Sequence, residues 1–164
     1  MAIACLQAWF RSFFLYLMKN TTMLKSLDGK KDAPVGKLNT GSRKIGILLV
    51  DDHCMVREMV RIFLEHQPDM LVIGEAGTGL EAVKMADQLH PDVIIMDISL
   101  PELNGIEATR RIISRNPQIK VIGLSMFSES KPKKNLIEAG AIDYFQKGSA
   151  FSGLVKAIRR AALV

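Results

Sequence analysis

From Ile45 onward, apolar and polar positions fall into a repeating order. Ile45–Val50 is a compact apolar run, which predicts a strand. Val56, Met59, Val60, Phe63 and Leu64 follow at helical spacing within Val56–Glu65, and Pro68-Asp69 breaks the period. Leu71–Ala76 predicts a second strand, and Gly77-Thr78-Gly79 leads into a helix over Leu80–Leu89 that His90-Pro91 ends. Asp92–Asp97 predicts a third strand, and Ile106–Ser114 a helix with Ile106, Thr109, Ile112 and Ile113 on one side. Asn116-Pro117 stops that helix, and Ile119–Leu124 predicts a fourth strand. Lys134–Ala139 predicts a short helix closed by Gly140, with Pro132 suited to its first turn. Ala141–Phe145 is the fifth strand and Phe151–Ala162 the last helix.

Strands alternating with helices in this way imply an α/β domain: a parallel sheet with helices on both faces and right-handed crossovers. Val93–Met96 is apolar without alternation, as expected of a strand covered on both sides. One compact domain over 45–164 accounts for the whole pattern. The chain stops about one turn after the fifth helix, so no second globular domain is expected to follow.

Residues 1–44 lie outside the pattern. Residues 2–18 are apolar, but as a helix they would reach only about 25 Å. Arg11 at mid-span would cost roughly 2.5–3.5 kcal/mol in a bilayer. A secretory signal also fits poorly, because Arg11 interrupts the apolar run and no basic side chain precedes it. An interfacial helix followed by Lys19, Lys25, Lys30 and Lys31 would cling to anionic lipid. The more economical reading is an extension without structure, or a start of translation at Met18 or Met23. Residues 19–44 read as a basic linker.

The net charge of +5 and pI near 9.3 suggest a nucleic-acid partner until their distribution is examined. Residues 1–44 hold eight basic and two acidic residues, whereas Ile45–Val164 hold fourteen and fifteen. The excess charge belongs to the extension, so no direct nucleic-acid binding is expected of the domain. Cys5 and Cys54 offer neither a disulfide framework nor zinc spacing, which suits a reduced, cytoplasmic protein.

The chemistry lies at the strand ends. The first strand runs into Asp51-Asp52, the third ends in Asp97, the fourth is followed by Ser125, and Lys147 comes two residues after the fifth. In a parallel sheet these ends share one edge, where ligands gather. Carboxylates ~5 Å apart repel by about 3 kcal/mol per pair at an effective dielectric of ~20, so a cation is needed unless one is protonated. Oxygen donors without a thiolate or imidazole set suit Mg²⁺, which leaves coordination positions for phosphate oxygens. Lys147 offers a point charge to a further phosphate oxygen and Ser125 a hydrogen bond. An aspartate is a competent nucleophile for a phosphoryl group.

Asp51-Asp52, MDISLPELNGIEATRRI around Asp97, VIGLSM with Ser125 and AGAIDYFQKG with Lys147 together resemble the receiver domain of bacterial two-component response regulators. The resemblance covers about Ile45 to Ala162 and is greatest to the LuxR/NarL-type subfamily. It implies a flavodoxin-like (CheY-like) five-stranded sheet of order 2-1-3-4-5. It implies Asp97 as phosphoacceptor, and Mg²⁺ held by Asp51, Asp52, Asp97 and the Ser99 backbone carbonyl. Lys147 would pair with the phosphoryl group. Ser125 and Tyr144 would take the switch hydroxyl and aromatic positions, and Pro101 and Gly105 match the loop after the acceptor. The implied partners are a sensor histidine kinase or phosphotransfer protein and a downstream effector or DNA-binding partner, with room for a phosphorylation-dependent homodimer. The implied activity is a signalling switch rather than an enzyme, with only slow self-phosphorylation and autodephosphorylation.

Three features depart from the family. The usual helix-turn-helix domain is not expected within the pattern read here, the extension is additional, and Ser128–Lys134 is more basic than expected of a fourth helix. The alternative reading is the receiver half of a truncated LuxR-type DNA-binding transcription regulator. A haloacid-dehalogenase-type phosphatase would need Asp-x-Asp where this chain has adjacent aspartates, and an acidic edge would repel a flavin phosphate. Of the remaining residues, His53 and Cys54 read as loop positions, His66 and His90 as helix ends, and Met126 as packing under Ser125.

Overall fold

The computed structural model describes residues 43–125, 130–147 and 151–163. The extension up to residue 42, and Met126, lie outside the described residues. The elements are β1 (Ile45–Val50), α1 (Cys54–Glu65), β2 (Met70–Ala76), α2 (Gly79–Leu89), β3 (Val93–Asp97), α3 (Gly105–Arg115), β4 (Lys120–Ser125), α4 (Ser130–Glu138), β5 (Asp143–Gln146) and α5 (Phe151–Ala161). The five strands form one sheet in the order β2-β1-β3-β4-β5, and every neighbouring pair is parallel. This is the expected order.

Each central strand is buried because both its faces are covered. Ile47 and Leu49 point into a core with Val60, Phe63 and Leu64 of α1 and Leu154 and Ile158 of α5. Leu48 and Val50 point the other way, against Ala82 and Ala86 of α2, Ala108 and Ile112 of α3 and Leu136 of α4. The register sets Val50 beside Met96 and Asp97 beside Leu124, so the strands end at one level.

Three boundaries differ from the sequence expectation by two or more residues, and the first is the start of α1 at Cys54 rather than Val56. α4 begins at Ser130 rather than Lys134. Its first turns, Ser-Lys-Pro-Lys-Lys, carry no apolar period, and Leu136 is its one fully buried apolar residue among those described. β5 begins at Asp143 rather than Ala141. Gly140 has φ +107, and the Ala141 N–H donates back to Leu136, so 140–142 form the turn out of α4. No described helix is long and apolar enough to cross a membrane.

Arg159 of α5 grips the loop between α1 and β2. Its Nε lies 2.7 Å from Asp69 Oδ2 and its Nη2 2.9 Å from Asp69 Oδ1, with Gln67 Oε1 at 3.2 Å. The hydrogen bonds from Arg159 hold the Asp69 carboxyl below its ordinary 3.8. The folded-state pKa is depressed, so the contribution is present above pH ~4 and lost as pH falls through the lowered value. Arg159→Ala is expected to cost no more than about 1 kcal/mol near neutrality, because the pair is partly solvated. Urea unfolding as a function of pH checks this: the gap between wild type and variant should close in acid.

Candidate functional site

The end of β1 delivers Asp51, which is buried, and Asp52, which is exposed. Asp97, the last residue of β3, is 3% exposed. Ser125 closes β4 and is buried; the alternation Val121, Gly123, Ser125 places it on the α2–α4 face. Tyr144 of β5 is half-buried on that same face, with the Lys133 ammonium 5.9 Å from its ring centroid. Lys147 follows β5, and its N–H donates to the Ser125 carbonyl at 2.7 Å.

The Lys147 side chain crosses the sheet edge to join β1 and β3. Its ammonium ion-pairs with Asp51 Oδ2 and lies 2.8 Å from Asp97 Oδ2, and the residue is 2% exposed. Burial pushes the Asp97 carboxyl above its ordinary 3.8; Lys147 pulls it back, and the Asp51 charge pushes it up again. Asp97 is therefore a poorly solvated carboxylate held by a single ammonium. The donor atoms of Asp51, Asp52, His53 and Asp97 lie within 4.8 Å of one another, a group able to hold a metal ion. Three of the four donors are carboxylate oxygens, which suits a hard divalent cation.

The loop after Asp97 is shaped by close backbone contacts. The Ser99 N–H points at Asp97 Oδ1 from 3.4 Å. The Leu103 N–H donates to the Pro101 carbonyl at 2.7 Å, a three-residue turn with Glu102 at φ 63. Gly105 then donates to the Ile98 carbonyl at 3.0 Å, and Asn104 caps α3 by accepting from the Glu107 N–H at 2.9 Å. A Cβ on Gly105 would collide with the Asp97 carbonyl, and one on Gly79 with the Leu103 carbonyl. Gly105→Ala is thus expected to push Asp97 off its position. The fold should lose about 1–3 kcal/mol by overpacking, measured by urea unfolding.

All the residues singled out at the strand ends converge here, and two that were not also belong. His53 is a loop residue at the N-cap position of α1, whereas Cys54 is the first residue of that helix rather than a loop residue. The His53 ring is turned onto the acid pair, with Nδ1 2.6 Å from Asp52 Oδ1. Arg57, one turn into α1, donates from Nη1 to the Asp51 carbonyl at 2.6 Å and from Nε to Glu75 Oε2 of β2 at 3.0 Å. It ties the end of β1 to the edge strand. Arg57 and Arg61, four apart on one face of α1, are both ion-paired with Glu75.

The comparisons with known proteins agree with this geometry. Residues 47–159 match the response regulator receiver domain family. The transcriptional regulatory protein LiaR of Bacillus subtilis (strain 168) is 45% identical over 118 residues, 72% of this chain and 56% of that protein. The chain thus spans about half the length of that curated relative. Among solved structures, a LuxR-family two-component response regulator from Aurantimonas sp. SI85-9A1 is 36% identical at TM-score 0.70, covering 73% of this chain and 86% of that one. The signal receiver domain of the response regulator NarL from Mycobacterium tuberculosis is 26% identical at TM-score 0.71, covering 74% and 98%. With the sheet order, the acidic strand edge and the family match in accord, the chain belongs to the receiver domains of two-component response regulators, of the LuxR/NarL-like kind.

Proposed function

We propose that Asp97 accepts a phosphoryl group from a phosphohistidine on a sensor histidine kinase or phosphotransfer protein. The observation that carries this reading is the buried Lys147 bridge between Asp51 and Asp97 at the carboxyl edge. An Asp97 oxygen bonds to phosphorus as the phosphorus–nitrogen bond of the donor breaks, and the electron pair leaves on the donor imidazole. Burial keeps the Asp97 carboxylate poorly hydrated and near-ready to react, and Lys147 neutralises an oxygen of the incoming group. Asp51, Asp52, Asp97 and the Ser99 carbonyl would hold Mg²⁺, which when bound offsets the negative charge that carboxylates and phosphoryl oxygens bring together.

Ser125 and Tyr144 share a sheet face with α4, so a phosphoryl oxygen that draws the Ser125 hydroxyl inward leaves room for Tyr144 to follow. That rearrangement would alter the α4 side of the domain and with it the binding of a downstream effector or a second copy of the chain. Slow self-phosphorylation by small phosphodonors and autodephosphorylation complete a cytoplasmic switch built on residues 45–164. The second reading is the receiver half of a transcription regulator; it is favoured by LiaR being a transcriptional regulatory protein of which this chain spans 56%. Intact mass after acetyl phosphate and Mg²⁺ tests the chemistry. A labile gain of one phosphoryl group supports it, and no gain where a control receiver reacts would overturn it.

A further inference from the structure

Asp51 leaves the sheet where β1 and β2 stop pairing. The register ends with Val50 opposite Ala76, and a further bond runs from the Asp51 N–H to the Ala76 carbonyl at 3.1 Å. The Asp51 carbonyl lies past that ladder, in the peptide that joins Asp51 to Asp52. The plane of this peptide sets how the carboxylates on either side of it are aimed. A guanidinium holds it: Arg57 Nη1 donates to the carbonyl oxygen at 2.6 Å. The same group is anchored on its other side, where Nε donates to Glu75 Oε2 at 3.0 Å. Glu75 stands opposite Leu49 in the register and also pairs with Arg61. A guanidinium is planar and its donors are fixed relative to one another, so the bond to Glu75 settles where Nη1 points. The Arg57 and Glu75 side chains are each only 20% exposed.

We propose that Arg57 is a positioning residue of the Mg²⁺ site: it holds the Asp51–Asp52 peptide in the orientation in which both carboxylates serve one ion. The inference rests on the reading of Asp51, Asp52 and Asp97 as that site. The Asp51 side chain has restraints of its own, since Oδ1 accepts from the His53 N–H at 3.0 Å and Oδ2 meets the Lys147 ammonium. Asp52 is exposed, so its direction depends more on the peptide that precedes it. Partners that orient metal ligands without touching the metal are worth about 10–100-fold in affinity. The charge of Arg57 acts in the opposite sense. A guanidinium beside a cation site repels the incoming ion, so by charge alone its removal would tighten binding. Loss of a positioning hydrogen bond weakens it, and the sign of the change tells the two apart.

Titration of the metal-free full chain with Mg²⁺, followed by amide NMR shifts, reads the affinity without any phosphoryl donor. Arg57→Lys keeps the charge but gives up the fixed two-point grip, and should lose about tenfold in Mg²⁺ affinity. Arg57→Met should lose at least as much, against the gain that charge alone would bring. Arg61→Met removes the other cation on Glu75 and leaves the Asp51 carbonyl untouched. Its affinity should stay within about twofold of wild type, because the Arg61 charge is 41% exposed and screened. With acetyl phosphate, the Mg²⁺ needed for half-maximal uptake should rise in Arg57→Lys, while the rate at saturating Mg²⁺ stays within about threefold of wild type. Undiminished Mg²⁺ binding in either Arg57 variant overturns the proposal. So does an equal loss in Arg61→Met, which would trace the effect to the packing of α1. If wild type binds no Mg²⁺, the cation-site reading fails and this one with it. If wild type binds Mg²⁺ and takes up phosphate while Arg57→Lys binds equally well, only the positioning role falls.

Discussion

Asp97→Ala is expected to abolish phosphoryl uptake from acetyl phosphate altogether, leaving a folded protein whose intact mass does not change on incubation. The size of the effect follows from the lack of a substitute. Asp51 is buried against the Lys147 ammonium, and Asp52 is exposed beside the His53 ring. Asp97 itself closes β3, a carboxylate 3% exposed, raised above its ordinary pKa by burial and still held by an ammonium 2.8 Å away. Asp97→Asn separates chemistry from packing. The amide fills the same volume and removes one of two buried carboxylates that share a cation, so stability should be retained or should rise. Uptake should be as completely lost as in the alanine variant. Persistent phosphorylation of Asp97→Asn, mapped to another side chain, would show that the acceptor has been misplaced.

The legible part of this molecule is the part that periodicity and topology determine. Val93–Met96 is apolar on both faces because helices cover both faces, and a chain of such strands has few ways to pack. Once the sheet is parallel, Asp51, Asp97, Ser125 and Lys147 must meet at one edge, although 96 residues separate the first from the last. Contacts that depend on side-chain direction were not legible. Nothing in Asp-Asp-His states that the third residue turns back on the second; that follows from His53 taking extended backbone, φ −89 and ψ 105, before α1 begins. Arg57 escaped notice because its partners are a backbone carbonyl just after β1 and a side chain on β2, neither of which has a sequence signature. The start of α4 was missed for the opposite reason. Its first turns present lysines to solvent and almost nothing to the core, so there was no period to read.

Lys147→Met should destabilise the metal-free protein by about 3–5 kcal/mol near neutral pH, the range for removing one partner of a buried ion pair. Methionine has nearly the length of lysine and leaves no large void, so the loss is electrostatic. Asp51 and Asp97 would remain buried, facing each other with no cation between them. Two consequences distinguish this cause from a general packing defect. Adding Asp97→Asn to Lys147→Met removes one of the stranded charges, so the double variant should be more stable than the single one, and the two substitutions should couple rather than add. Divalent cation should also do more for the variant than for wild type. In wild type the ammonium already offsets the two carboxylates, whereas in Lys147→Met the ion is their only counter-charge, and binding to the folded state alone raises stability by RT ln(1 + [L]/Kd). Urea unfolding of wild type, Lys147→Met and the double variant, each with and without Mg²⁺, measures all three effects. If Lys147→Met is as stable as wild type without metal, the ammonium contributes no net stabilisation, and its place at the site is to be explained by phosphoryl binding alone.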